Sequence, residues 1–318
     1  MTLEIIWIIV GFILLIKGAD FLVDGASNVA KKFHIPEIII GLTIVSIGTS
    51  MPELFVSITS AIEGYPDMAV GNVIGSNLCN LLLILGLSSM IQAIEFKKET
   101  RLIETPMTLA VTLVLFIICN VGANITRIEG MILVGLFILF IGYTIYMGKK
   151  GESFEKKDTL VEVQTKEKIS MIKSILWILL GIVGLKIGGD LTVNHSVTIA
   201  QTIGISEKVI SLTIIAIGTS LPELVTSVTA AFKGNSDIAI GNILGSNIFN
   251  ILLILGVSAM ITPITYAISY NNQILVLIVG TMLLALFPFI GAKNKMTRSN
   301  GFAYLIIYAI YMVGLFIV

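Results

Sequence analysis

Apolar positions run along this chain in long unbroken stretches, separated by short polar breaks. Ten such stretches fall at about 4–27, 38–62, 68–92, 103–121, 127–147, 172–197, 208–232, 238–261, 271–291 and 300–318. A helix needs roughly 20 apolar residues to cross the hydrocarbon core. A membrane β-barrel would read instead as short segments of alternating character. The pattern therefore predicts an all-α integral membrane protein with ten transmembrane helices. The first stretch carries Glu4 where a secretory signal carries basic residues, and no small-residue cleavage motif follows it, so it reads as a retained helix.

The same pattern is written twice. TIVSIGTSMPELFVS (43–57) matches TIIAIGTSLPELVTS (213–227), and DMAVGNVIGSNLCNLLLILGLSSM (67–90) matches DIAIGNILGSNIFNILLILGVSAM (237–260). Both matches stand at one offset of 170 residues without a gap. Shared apolar composition does not produce such a constant offset, so these are internal repeats. Each copy holds five stretches, and five is odd, so the second copy enters the membrane from the opposite side. The expected organisation is two inverted five-helix repeats, 1–147 and 172–318, joined by 148–171. That architecture places a transport site between the repeats, on interrupted helices. The joining tract has mixed charge and no apolar face, and reads as a flexible cytoplasmic linker.

Charge sets the orientation. With the N-terminus outside, sixteen Lys and Arg fall in inner loops and the linker, and only Arg127 and Lys208 in outer loops. The positive-inside rule then puts both termini outside and the linker in the cytoplasm. Net charge is zero and charged residues make up only 13% of the chain, which suggests no nucleic-acid partner. The lipid bilayer is the one partner implied; the sequence specifies no protein partner. Cys79 and Cys119 lie in expected spans and read as small buried hydrophobes, not as a disulfide framework.

Most charged residues sit near span ends or in loops; Glu53 and Glu223 do not. Each falls inside the second span of its repeat, directly after a proline. An ionisable group at that depth costs about 2.5–3.5 kcal/mol on insertion scales and marks a functional site. No Lys or Arg occurs in the matching motifs to neutralise either one. On a helix, Ser46, Thr49, Ser50, Glu53 and Ser57 share one face, and Thr219, Ser220, Glu223 and Ser227 repeat it with Ala216 in place of Ser46. Pro52 and Pro222 lack an N–H and are expected to free a carbonyl near Gly48 or Gly218. Asn72, Ser76 and Asn80, and Asn242, Ser246 and Asn250, form two further polar stripes; Asn72 and Asn242 serve equally well as interhelical glue. Gly71 with Gly75, and Gly241 with Gly245, give faces that let helices approach closely. Carboxylate, hydroxyl and carbonyl oxygens are hard ligands that suit Ca²⁺ and Na⁺. Asp20 and Asp190 recur near span ends and read as structural; His34 and His195 receive no role.

GTSMPE with GNVIGSNLCN, and GTSLPE with GNILGSNIFN, resemble the paired repeats of the calcium/cation antiporter superfamily, above all its prokaryotic sodium/calcium exchangers. The resemblance covers essentially the whole membrane portion. It implies ten helices, the plasma membrane of a prokaryote, and exchange of extracellular Na⁺ for intracellular Ca²⁺ with no cofactor. By motif position, Glu53 and Glu223 would hold Ca²⁺ with main-chain oxygens of Thr49 and Thr219. Sodium would use the same glutamates with Ser50, Ser76, Ser220 and Ser246 and the carbonyls of Ser46 and Ala216, and Asn80 and Asn250 would flank the centre. The position of Asn250 is an aspartate in the archaeal type it most resembles and in the potassium-dependent branch, so the amide here argues against potassium dependence. Proton/calcium exchangers usually carry G-N-x-x-E, which is absent.

Other readings use the same residues. A proton-coupled cation antiporter needs the same carboxylates, and a channel could use the same oxygens without occlusion or counter-ion dependence. An enzyme is disfavoured, because the chain carries no nucleophile–base motif, H-E-x-x-H or G-x-S-x-G.

Overall fold

The computed structural model describes residues 2–64, 66–122, 124–158, 170–204, 216–290 and 294–317. They form α1 (Thr2–Phe33), α2 (Glu37–Thr49), α3 (Met51–Ile62), α4 (Met68–Ile91), α5 (Thr100–Val121), α6 (Arg127–Asp158), α7 (Met171–Thr202), α8 (Ala216–Thr219), α9 (Leu221–Phe232), α10 (Ser236–Ile261), α11 (Ile268–Phe289) and α12 (Arg298–Ile317). Among the described residues seven helices are long and apolar enough to cross a membrane, or eight if α2 and α3 count as one bent span. The expected span at 208–232 begins outside the described residues, and its remainder is α8 and the shorter apolar helix α9. The molecule is an all-α membrane protein.

Three features stand out: the first is the interruption expected beside the proline, and the other two depart from the sequence expectation. The stretch at 38–62 is not one helix: α2 and α3 meet at 49° across Ser50. Pro52 stands in the first turn of α3, where its missing N–H costs nothing and its fixed φ suits a new helix. Pro222 does the same for α9 after Ser220. Secondly, α6 continues to Asp158, well into the expected linker, because Lys and Glu are good helix formers; residues 159–169 lie outside those described. Thirdly, the loops carry two small antiparallel pairings, β1 (Ile94–Glu95) with β4 (Lys295–Met296) and β2 (Asn124–Ile125) with β3 (Ile264–Thr265). They satisfy backbone groups where helices end.

Helices α4 and α10 lie at the centre, with Leu78, Leu81, Leu82, Ile243, Ile248 and Leu252 fully buried. Helices α1, α6 and α7 lie outside and present Ile9, Ile13, Ile138, Leu139, Leu179 and Val183 outward, as lipid-facing helices do. Two backbone contacts tie the layers. A Cβ on Gly18 of α1 would come 2.8 Å from the Leu185 nitrogen of α7, and one on Gly41 of α2 would come 3.0 Å from Gly241 Cα of α10. Small residues make such approach possible where no hydrophobic effect drives helix association. Gly241 and Gly245 thus behave as expected against α2, and Gly71 meets the Tyr270 hydroxyl; Gly75 meets nothing within 4 Å.

Candidate cation-binding site

The breaks at Ser50 and Ser220 aim the two glutamates at one another's half. Ser50 and Ser220 leave helical geometry, with φ/ψ of −83°/10° and −86°/6°. Each hydroxyl donates across to the other half: Ser50 Oγ to Glu223 Oε1 at 2.7 Å, and Ser220 Oγ to Glu53 Oε1 at 3.4 Å. Both glutamates are buried, and among the described residues no Lys, Arg or His pairs with either.

Central α4 and α10 brace this pair. Asn72 Nδ2 donates to Ser57 Oγ at 3.0 Å and to the Glu53 carbonyl at 3.3 Å. Asn242 Nδ2 repeats this on Ser227 Oγ at 2.9 Å and the Glu223 carbonyl at 3.5 Å, while its Oδ1 accepts from Thr49 Oγ1 at 3.1 Å. Asn72 and Asn242 are therefore the interhelical glue that the sequence left open. Ser46 turns its hydroxyl back to the Leu42 carbonyl at 2.9 Å, and its own carbonyl accepts the Ser50 N–H at 3.0 Å. Ala216 opens α8 beside residues outside the described set.

The informative atoms are those left over. Among the buried side-chain atoms without a hydrogen-bond partner are Glu53 Oε2, Glu223 Oε2, Ser76 Oγ, Ser246 Oγ, Asn80 Oδ1, Asn250 Oδ1 and Thr219 Oγ1; others, such as Glu104 Oε2 and Ser258 Oγ, lie on residues the sequence did not mark. Buried polar groups of a folded protein are almost always paired. The seven unpaired oxygens that fall on residues marked by the repeat are hard donors of the kind that bind Ca²⁺ or Na⁺. Among the described residues no group of three or more His, Cys, Asp and Glu could hold a metal; two carboxylates framed by neutral oxygens suit a transiently bound ion better than a resident transition metal.

A crevice of about 230 Å³ runs to Thr219, Pro52 and Pro222 from the C-terminal half of α7, where Lys186, Asp190 and Asn194 line it. Lys186 and Asp190 pair at 2.7 Å. A larger crevice, about 960 Å³, lies between α1, α2, α6 and α7 and is lined by Phe33, Ile39, Ile44, Ile145 and Ile182. Its Thr43 and Thr144 hydroxyls donate to carbonyls of their own helices, and among the described residues no carboxylate lines it. Elsewhere, Asp20 pairs with Lys233 at 3.1 Å, a structural role; His195 pairs with Glu4 and stacks on Trp7.

Sequence reasoning did not single out Asn77 and Asn247. Each donates to the other's main-chain carbonyl, at 3.2 and 3.4 Å; Asn77 accepts from Asn250 and Asn247 from Asn80, each in the opposite half. The GSN triplet occurs in both repeats, which was the available signal.

The sodium/calcium exchanger protein family matches residues 3–146 and 173–317. The chain is 38% identical to a putative antiporter, CaxA, of Alkalimonas amylolytica, covering 99% of both chains. It is 31% identical to the sodium/calcium exchanger MaX1 of Methanosarcina acetivorans, again covering 99% of both. It is also similar to the solved structure of the sodium-calcium exchanger NCX_Mj soaked with Na⁺ and Ca²⁺, with a TM-score of 0.85, 31% identity and 98% of each chain covered. Matched over nearly its whole length, this chain belongs to the sodium/calcium exchanger family within the calcium/cation antiporter superfamily.

Proposed function

We propose that this protein exchanges Na⁺ for Ca²⁺ across the plasma membrane of a prokaryote by alternating access. The observation that carries the reading is the set of buried, unpartnered oxygens around Glu53 and Glu223. One Ca²⁺ cancels both carboxylates, taking Glu53 Oε2, Glu223 Oε2 and main-chain oxygens of Thr49 and Thr219. Sodium ions take the same carboxylates with Ser50, Ser76, Ser220 and Ser246 and the carbonyls of Ser46 and Ala216. Asn80 and Asn250 flank the centre. Because the ions need the same oxygens, occupation by one excludes the other, and a protein that changes its facing only when loaded then couples their fluxes.

Ten spans in two inverted repeats supply the second facing. The reciprocal Ser50–Glu223 and Ser220–Glu53 contacts support a two-fold relation between the halves. The linker is cytoplasmic and both termini are outside, so the crevice along the C-terminal half of α7 opens outward.

The test is ⁴⁵Ca uptake into proteoliposomes. Uptake is expected when Na⁺ is loaded inside and K⁺ is absent from both sides. Uptake that needs K⁺, or that runs equally well on a proton gradient without Na⁺, assigns the coupling to another ion. Unitary conductance without counter-ion dependence would make the protein a channel.

A further inference from the structure

Four buried asparagines form a closed set between α4 and α10. Asn77, Asn80, Asn247 and Asn250 are each at most 1% exposed. Asn77 Nδ2 donates to the Asn247 carbonyl at 3.2 Å, and Asn247 Nδ2 donates to the Asn77 carbonyl at 3.4 Å. Asn250 Nδ2 donates to Asn77 Oδ1 at 3.0 Å, and Asn80 Nδ2 donates to Asn247 Oδ1 at 3.2 Å.

The orientation of an amide has to be fixed by its partners, and here the chain of partners has a fixed end. A main-chain carbonyl only accepts, so the Asn77 atom facing it must be the amide nitrogen. That leaves Asn77 Oδ1, which also only accepts, facing Asn250. The Asn250 atom turned to it must then be Nδ2. Asn250 Oδ1 is left over, buried and unpartnered, and the same logic through Asn247 leaves Asn80 Oδ1. We infer that Asn77 and Asn247 are positioning residues that lock the Asn250 and Asn80 amides with their oxygens, not their nitrogens, toward the transported cation. The lock crosses between the halves: Asn77 sets Asn250, and Asn247 sets Asn80. A flipped amide would present two N–H donors to a cation and repel it.

This inference rests on the cation-exchange reading and predicts a specific pattern of suppression. An aspartate has oxygen at both ends, so its orientation is immaterial. Asn77→Ala is expected to raise the half-saturating Ca²⁺ for ⁴⁵Ca uptake by about tenfold, the order of a lost charge-directed hydrogen-bond arrangement. In an Asn250→Asp background the same change is expected to shift it by less than about twofold, and in an Asn80→Asp background by about tenfold again. Asn247→Ala should show the mirror pattern, suppressed by Asn80→Asp and not by Asn250→Asp. A general packing defect would lower affinity alike in every background, and that result overturns the inference, as does an Asn77→Ala protein with unaltered affinity. Where an alanine variant is not monodisperse on size exclusion, Asn77→Ser and Asn247→Ser replace it; failure of all four to fold makes the pair a core brace and also overturns it. Absence of Ca²⁺ uptake in the unsubstituted protein is a separate outcome, which removes the exchange reading itself.

Discussion

A carboxylate held away from water keeps its charge only beside a cation or several donors, and Glu53 and Glu223 have serine and threonine hydroxyls beside them but, among the described residues, no basic partner. Glu53→Gln or Glu223→Gln leaves one negative charge for a divalent ion, and a buried charge left uncompensated is strongly unfavourable. Either substitution is expected to abolish Ca²⁺ transport, read as ⁴⁵Ca uptake at matched expression; near-normal uptake would remove the glutamates from the site. Protons bind the same oxygens, and a metal ligand must be deprotonated to bind. Acidification from about pH 8 to about pH 6 is therefore expected to raise the half-saturating Ca²⁺, and an affinity constant over that range would count against the pair. At this scale the sequence was legible wherever charge and membrane depth conflicted: a glutamate inside an apolar stretch needs a reason, and repetition at one offset supplied it. Asn77 and Asn247 carried no such conflict. They lie one residue off the stripe of Asn72, Ser76 and Asn80 or its copy, and neutral amides in a membrane helix are ordinary glue. Only the partners distinguish them.

At the scale of elements, apolar runs located the long helices of the described residues, but not their ends or what happens inside them. The prolines indicated a break, but not its 49° angle at Ser50. Segments of π-helix at Gly41–Val45, Cys79–Ile84 and Asn250–Leu255 lay beyond periodicity arguments, because each shifts the faces that a 3.6-residue repeat defines. Two of these π segments begin at or next to Asn80 and Asn250, which the proposed site uses. The glycine contacts give a prediction that separates close approach from mere smallness. A Cβ on Gly18 would lie 2.9 Å from the Gly181 carbonyl oxygen, whereas one on Gly142 of α6 meets nothing within 4 Å. Gly18→Val is expected to destabilise the folded protein by about 1–3 kcal/mol through forced separation of α1 and α7. Gly142→Ala is expected to stay within about 0.5 kcal/mol. Thermal melting of both variants in one detergent checks the pair, and equal melting temperatures would mean that α1 and α7 yield to the added methyls.

On the scale of the whole molecule, the four short strands carry topological information that no single helix does. Strand β1 precedes α5 and β2 follows it, and the 22 residues of α5 span about 33 Å, a bilayer core's thickness. The β1–β4 and β2–β3 pairings therefore lie at opposite ends of α5. In the repeat register β1 corresponds to β3 and β2 to β4, so each pairing joins one loop type of one half to the other loop type of the other half. A loop that follows the third span thus shares a membrane side with a loop that follows the fourth span of the other copy. Copies inserted with the same orientation would put those loops on opposite sides, whereas the proposed inverted copies would bring them together. Ion pairs of the β1 side, Lys97–Asp237 at 2.5 Å and Lys295–Glu95 at 2.5 Å, gather on the side where the loops are rich in Lys and Arg. That side is expected to be cytoplasmic, which gives a measurement independent of transport. Cys79 and Cys119 are buried and give little background to a membrane-impermeant maleimide. A cysteine at exposed Asn194, at the crevice along α7, is expected to be labelled in intact cells, whereas Lys98→Cys, beside β1, should react only after permeabilisation. The reverse labelling would invert the molecule in the membrane and make the crevice a cytoplasmic access path. Labelling of both from outside would overturn the proposed orientation, because the crevice along α7 and the β1 side would then share one face of the membrane.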